Sequence, residues 1–293
     1  MSEICVLGVT YPGLEPFIDD YLVSLANQTV SDFIILIAND GFEEIQHYLK
    51  QHSLESRASV IEMNGSPTLI RRELLIHAQE MHPNYFIFTD CDDVLNTNRV
   101  EESISLLESY DVVVNDLCVC DENLKITFPN YLSKRIDDGQ ILSLIDLLDS
   151  NFMGLTNTAC RKKVLQVCSS ITNSSIVAFD WLFWSMALLS DYSAVFTNKT
   201  STKYRVYNCN TAGLPQKLDQ NSIDFGLSVK QLHYETLSSI FCSNEAFRNR
   251  LFQIEHMIKY NNKKSIYEKM IQSMNEHYPF WWENIRHIDL SAN

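Results

Sequence analysis

Apolar and polar positions along the first hundred residues alternate between two periods. Ile4 to Val9 and Tyr85 to Phe88 are short continuous apolar runs, the signature of strands buried in a parallel sheet, and Asp32 to Ala38 and Ala58 to Met63 read as further strands. Between them the apolar positions recur at helical spacing. Leu14, Phe17, Ile18, Tyr21, Leu22 and Leu25 predict a helix from 14 to 28, and further helices are expected over 42–51 and 69–81. The resulting order, β-α-β-α-β-α-β, predicts a doubly wound α/β sheet with right-handed crossovers. A further helix over 100–109 and a short strand over 111–114 follow, the latter ending at Asn115-Asp116. Residues 117–150 predict a hairpin around Asp121-Glu-Asn123 and a helix from 140 to 148. Ala159 to Val167 reads as a strand or a helix start. Its run Arg161-Lys-Lys163 reads as a solvated helix face in preference to a phosphate contact. A strongly apolar helix begins near Asp180, a strand covers 193–197, and two or three amphipathic helices are expected over 226–276.

The polar residues that interrupt this pattern fall at the carboxyl ends of strands. Thr10-Tyr11 ends the first, Asn39-Asp40-Gly41 the second, and Asp90-Cys-Asp-Asp93 the fourth. Open α/β sheets bind ligands along that edge. Three carboxylates crowded there repel one another, and a divalent cation with hard oxygen ligands, Mg²⁺ or Mn²⁺, would neutralise them. An EF-hand loop is excluded because Leu95 stands where glycine is needed. Asp180, a lone acid among aromatics at a helix start, is either a helix-dipole partner or a general base held ready.

Composition narrows the partners. The 293 residues carry a formal charge of −14, 45% hydrophobic and 11% aromatic side chains, which describes a globular chain unsuited to sequence-independent nucleic-acid binding. Residues 214–293 hold nine basic and nine acidic side chains, so the acidic surplus lies in residues 1–213. An acidic domain that holds an anion needs a cation or backbone N–H groups to help it. Eight scattered cysteines include no CxxC pair, and no signal peptide or long apolar span is present, so reduced thiols and a cytoplasmic location are expected.

Taken in order, these motifs resemble family-two glycosyltransferases of the GT-A fold. The likeness spans residues 3 to 213: Val6 to Pro12, Asn39-Asp40-Gly41, Asn64-Gly65 with Arg71-Arg72, Thr89-Asp90-Cys91-Asp92-Asp93-Val94, Phe179-Asp180-Trp181, and Tyr204-Arg205-Val-Tyr207. The resemblance implies a GT-A catalytic domain over 1–213, with a mixed, mostly parallel sheet, and a helical C-terminal extension over 214–293. It implies Asp92 as ligand to Mn²⁺ or Mg²⁺ and Asp180 as catalytic base. Thr10, Tyr11, Asp40, Arg71, Asp90 and Arg205 would bind the nucleotide sugar. Tyr207 stands where the family often has a metal-binding histidine. The activity implied is inverting transfer from a nucleoside-diphosphate sugar, uridine diphosphate first, to a glycan or lipid-linked acceptor in bacterial surface-glycan synthesis. The alternatives are a haloacid dehalogenase-like phosphatase, whose motif usually lies on the first strand, and a non-catalytic sugar-nucleotide-binding module. The C-terminal helices are expected to pack on the catalytic domain or form a homo-oligomer, the alternative being a peripheral membrane contact.

Overall fold

The structure is a computed structural model that describes residues 2–207 and 220–259. Among the described residues ten strands form one sheet: β1 (Ile4–Thr10), β2 (Ile34–Asn39), β3 (Ala58–Glu62), β4 (Tyr85–Phe88), β5 (Val94–Leu95), β6 (Val112–Cys120), β7 (Ile126–Phe128), β8 (Ile141–Leu142), β9 (Thr158–Arg161) and β10 (Ala194–Arg205). Their spatial order is β3-β2-β1-β4-β9-β6-β10-β5, with β7 beside β6 and β8 beside β10. The β3-β2-β1-β4 half is parallel throughout, and β6 also runs parallel to β10. Antiparallel β9 joins the two halves, which gives the mixed, mostly parallel sheet that the resemblance implies.

Among the described residues eight α-helices flank it: α1 (Ile18–Ala26), α2 (Ile45–Gln51), α3 (Pro67–Glu80), α4 (Arg99–Leu107), α5 (Leu144–Leu147), α6 (Phe179–Leu189), α7 (Gln220–Ile240) and α8 (Glu245–Lys259). Side chains alternate across the strands, so Cys5 and Leu7 enter one core while Ile4 and Val6 enter the other. Helices α1, α2 and α4 cover the face of Ile4 and Val6. The opposite face is covered by α3, α6, α7 and α8, whose Leu227, Tyr234, Leu237, Phe247, Ile254 and Met257 join the same buried cluster as β1 and β4. Helix α6 is buried almost all round, which its apolar sequence requires. Trp184 meets Phe88 of β4 edge-on, with ring centroids 5.4 Å apart.

Several elements differ from expectation for identifiable reasons. Helix α3 starts at Pro67, because proline suits the first helical position and the Ser66 hydroxyl accepts the Leu69 N–H. Strand β6 continues through Asn115-Asp116, and β10 continues past Thr197, with a register shift between Thr197 and Ser201. Helix 140–148 shortens to β8 and α5. The Arg161-Lys-Lys163 run is not a solvated helix face. Arg161 ends β9 and donates to the Leu107 and Glu108 carbonyls at the end of α4, while Lys162 and Lys163 open a 3-10 turn. Lys162 donates to Met81 O, and Lys163 Nζ lies 2.7 Å from Asp111. Residues 208–219, with Cys209, and the expected helical pattern beyond 259 lie outside the described residues. The seven cysteines among the described residues are free thiols.

Candidate functional site

The expected edge forms where β1, β2 and β4 stop side by side. Parallel pairing brings Thr10 level with Asn39, and the Asp40 N–H extends the ladder to Thr10 O at 2.8 Å. The next turn follows β4, where Thr89 N–H donates to Leu7 O. Gly8 is needed below it, because a Cβ there would come within 2.9 Å of Cys91 Sγ. The Asp90–Asp93 turn is thereby drawn tightly across β1.

Its carboxylates face different ways. Asp92 is buried, and its Oδ2 accepts from Tyr207 at 2.7 Å and Tyr11 at 3.2 Å, the two phenols being 3.1 Å apart. Burial raises the Asp92 pKa and the charge of Asp90 raises it further, while the two hydroxyls pull it back. Asp90 is half-buried and lies 3.4 Å from Arg71 Nη2. Asp93 turns into the protein and accepts the Arg205 N–H at 2.8 Å.

Arg71 reaches the site from α3. Burial depresses its pKa, but Asp90, Asp180, Asp92 and Tyr11 act together to raise it, so it keeps its charge. It is the guanidinium on which the Asp90 turn and Asp180 both act. Asp180 opens α6, and its Oδ1 accepts from Trp181 N at 2.9 Å and Asn151 Nδ2 at 3.1 Å. Burial pushes the Asp180 carboxyl up, against the lowering influence of Arg71, Trp181 N–H and Asn151. A half-buried carboxylate with a raised pKa and one oxygen anchored is suited to accept a proton.

Two expected ligand residues point elsewhere. The Thr10 hydroxyl is buried and donates to Asn39 Oδ1 at 2.9 Å. Arg205 is buried beneath the turn, where its Nε donates to Asp92 O at 2.8 Å, Nη1 to Glu122 O, and Nη2 to Asp20 at 3.0 Å. Phe17 lies under the same guanidinium, 4.6 Å from its carbon. Arg205 as placed therefore holds the acidic turn from behind. Asp40, half-buried at the end of β2, makes no side-chain hydrogen bond or ion pair among the described residues. Asn151, Tyr207 as an Asp92 partner and Asp20 were not singled out from the sequence. Asn151 in particular sits in an irregular polar stretch with no periodic signal.

The donor set bears on a metal. Asp92 and Asp90 offer hard oxygen ligands under mutual repulsion, which fits Mg²⁺ or Mn²⁺. Among the described residues no group of three His, Cys, Asp or Glu side chains is arranged to hold an ion. Among the same residues no helix is long and apolar enough to cross a membrane.

No protein-family model and no curated protein matches the chain. Solved structures match its fold. TarS 1–349 from S. aureus in complex with UDP-GlcNAc aligns with a TM-score of 0.65 at 15% identity, over 96% of this chain and 78% of that one. The same protein in complex with UDP aligns at 0.62 and 16% identity, over 90% and 77%. A longer TarS chain is covered over only 40% of its length. The mannosyltransferase PcManGT from Pyrobaculum calidifontis, in complex with GDP-Man and Mn²⁺, aligns at 0.53 and 10% identity, over 86% of this chain and 68% of that one. These likenesses establish a GT-A-like fold with a helical C-terminal part.

Proposed function

We propose that the chain is an inverting glycosyltransferase that takes its sugar from a nucleoside diphosphate, with uridine diphosphate the first choice of leaving group. The observation that carries this reading is the convergence of the Asp90–Asp92 turn, Arg71 and Asp180 at one sheet edge, in a GT-A-like fold whose solved neighbours hold UDP-GlcNAc, UDP and GDP-Man. Asp92 would hold Mn²⁺ or Mg²⁺, with the Asp90 charge beside it. When bound, such a cation supplies Lewis-acid stabilisation to the departing diphosphate.

The chain's own residues do the rest. Arg71, charged and partly exposed, offsets negative charge accumulating on the leaving group. Tyr11 and Tyr207 fix the Asp92 carboxylate in one rotamer, and Arg205 fixes the turn that carries it. Asp40, with its carboxylate unengaged at the neighbouring strand end, is available to the ribose or base. Asp180 takes the proton from the acceptor hydroxyl as that oxygen bonds to the anomeric carbon and the bond to the phosphate oxygen breaks. The leaving group keeps the electron pair, and a single displacement inverts the anomeric centre.

A thermal-shift screen tests the reading. UDP-N-acetylglucosamine, UDP-glucose and GDP-mannose, each with Mn²⁺, are added to the wild type, Asp92→Ala and Asp180→Asn. One donor stabilises the wild type, Asp92→Ala loses that shift, and Asp180→Asn keeps it while transfer stops. Equal shifts in wild type and Asp92→Ala remove the metal; binding without turnover across acceptors leaves a sugar-nucleotide-binding module.

A further inference from the structure

Asp180 is held by a segment that the C-terminal helices in turn hold. Asn151, the side chain that donates to Asp180 Oδ1, lies in the irregular stretch after α5. Three consecutive carbonyls just before it are each taken by a side chain. Leu147 O accepts from Trp181 Nε1 at 2.8 Å, Leu148 O from the Tyr234 hydroxyl at 2.7 Å, and Asp149 O from Lys230 Nζ at 3.2 Å. Lys230 and Tyr234 belong to α7. From α8, Arg250 places two bonds on the Asp149 carboxylate, at 2.6 and 2.8 Å.

The contacts close on the residue next to Asp180. The Trp181 ring stacks on His233 of α7, with centroids 3.8 Å apart and planes 12° from parallel. Beyond Asn151, Gly154 N–H donates to Asn157 Oδ1 at 2.8 Å, and Asn157 Nδ2 donates to Asn115 O and Phe152 O. The second oxygen of Asp180 faces Gly154, where a Cβ would come to 3.8 Å. Burial of apolar faces would cover this side of the sheet without any of these polar bonds. Directed bonds to successive carbonyls specify the course of the main chain, and so the position of the amide that reaches Asp180.

We propose that Asn151 is a positioning residue for Asp180, and that α7 and α8 act on transfer through it by fixing the segment 147–151. The inference rests on the reading of Asp180 as base. In this arrangement the C-terminal helices set the direction of the carboxylate's anchored oxygen and leave the other for the acceptor.

The test uses the full chain with UDP-N-acetylglucosamine and Mn²⁺, and compares Asn151→Ala, Arg250→Ala, Arg250→Lys and Tyr234→Phe. Loss of Asn151 should lower kcat about tenfold or more while the donor KM stays unchanged. The acidic limb of the kcat profile should move to higher pH, because an N–H that favours the ionised carboxylate is gone. Arg250→Ala should show the same pattern more weakly, and Arg250→Lys should recover most of it. Should Arg250→Ala fail to fold, Tyr234→Phe, which removes one hydroxyl and keeps the ring, carries the comparison. A carboxyl-carbon NMR titration of Asp180, assigned by its loss in Asp180→Asn, reads positioning without any donor. An upward midpoint in Asn151→Ala supports the inference. An unchanged midpoint, or an unchanged kcat profile in an active enzyme, overturns it. A wild type that turns over no nucleotide sugar sinks the base assignment, whatever the titration shows.

Discussion

Asp180 carries its charge at a cost to the fold. Burial raises its pKa, so the folded state keeps the proton to a higher pH than the unfolded chain does. Ionisation is therefore penalised in the folded state, and stability falls as pH rises from the unfolded value through the folded one. Asp180→Asn removes the penalty. The variant should gain on the order of 1 kcal/mol at neutral pH, the common exchange between stability and activity at such sites. The gain should disappear below pH ~3, where the carboxyl is largely protonated in both states. Chemical denaturation at the two pH values checks this, and a less stable variant at neutral pH would mean that Arg71 more than offsets the burial. The acids Asp90, Asp92 and Asp180 were legible in the sequence because carboxylates beside apolar runs are conspicuous. The direction of Arg205 was not. A guanidinium at a strand end can face solvent or the interior, and the choice depends on Asp20 and Glu122, residues remote in sequence.

Among elements, the parallel half of the sheet was readable because β1, β2 and β4 are buried along most of their length and turn residues bound all four strands, edge strand β3 included. The other half was not, since β5, β7 and β8 are only two or three residues long and polar residues interrupt β6 and β10. Asn115-Asp116 looks like a strand end. In the fold Asp116 stays inside β6, where its Oδ1 accepts the N–H groups of Leu117, Leu132 and Ser133 at 2.8, 2.7 and 3.3 Å. Its other oxygen accepts the Ser133 hydroxyl at 2.5 Å. This carboxylate thus replaces the ladder bonds that the irregular stretch cannot make. Asp116→Ala strands buried N–H groups and should cost about 3 kcal/mol. Urea denaturation gives the value, and a loss below about 1 kcal/mol would show that water satisfies those donors.

For the molecule as a whole, the acidic surplus and the helical C-terminal part belong together with the sheet. The sequence marked a shift in composition after residue 213, where charge becomes balanced, and that shift suggested an appended unit. Packing makes the relation closer. Six buried side chains of α7 and α8 share the core beneath α3 and α6, and His233 and Tyr234 cover Trp181. Burial of such side chains contributes about 1.5 to 3 kcal/mol each before the cost of ordering the two helices, and their removal would leave the facing apolar surface of the sheet layer in water. Truncation after residue 213 should consequently do more than remove an accessory region. The shortened chain should lose cooperative thermal unfolding and bind a hydrophobic dye at room temperature, because Trp181 and its neighbours lose their cover. A shortened chain that unfolds cooperatively near the full-length melting temperature would show instead that the sheet and α6 form a self-sufficient core. The helices would then be a docked layer whose contribution lies only in the polar bonds to residues 147–149.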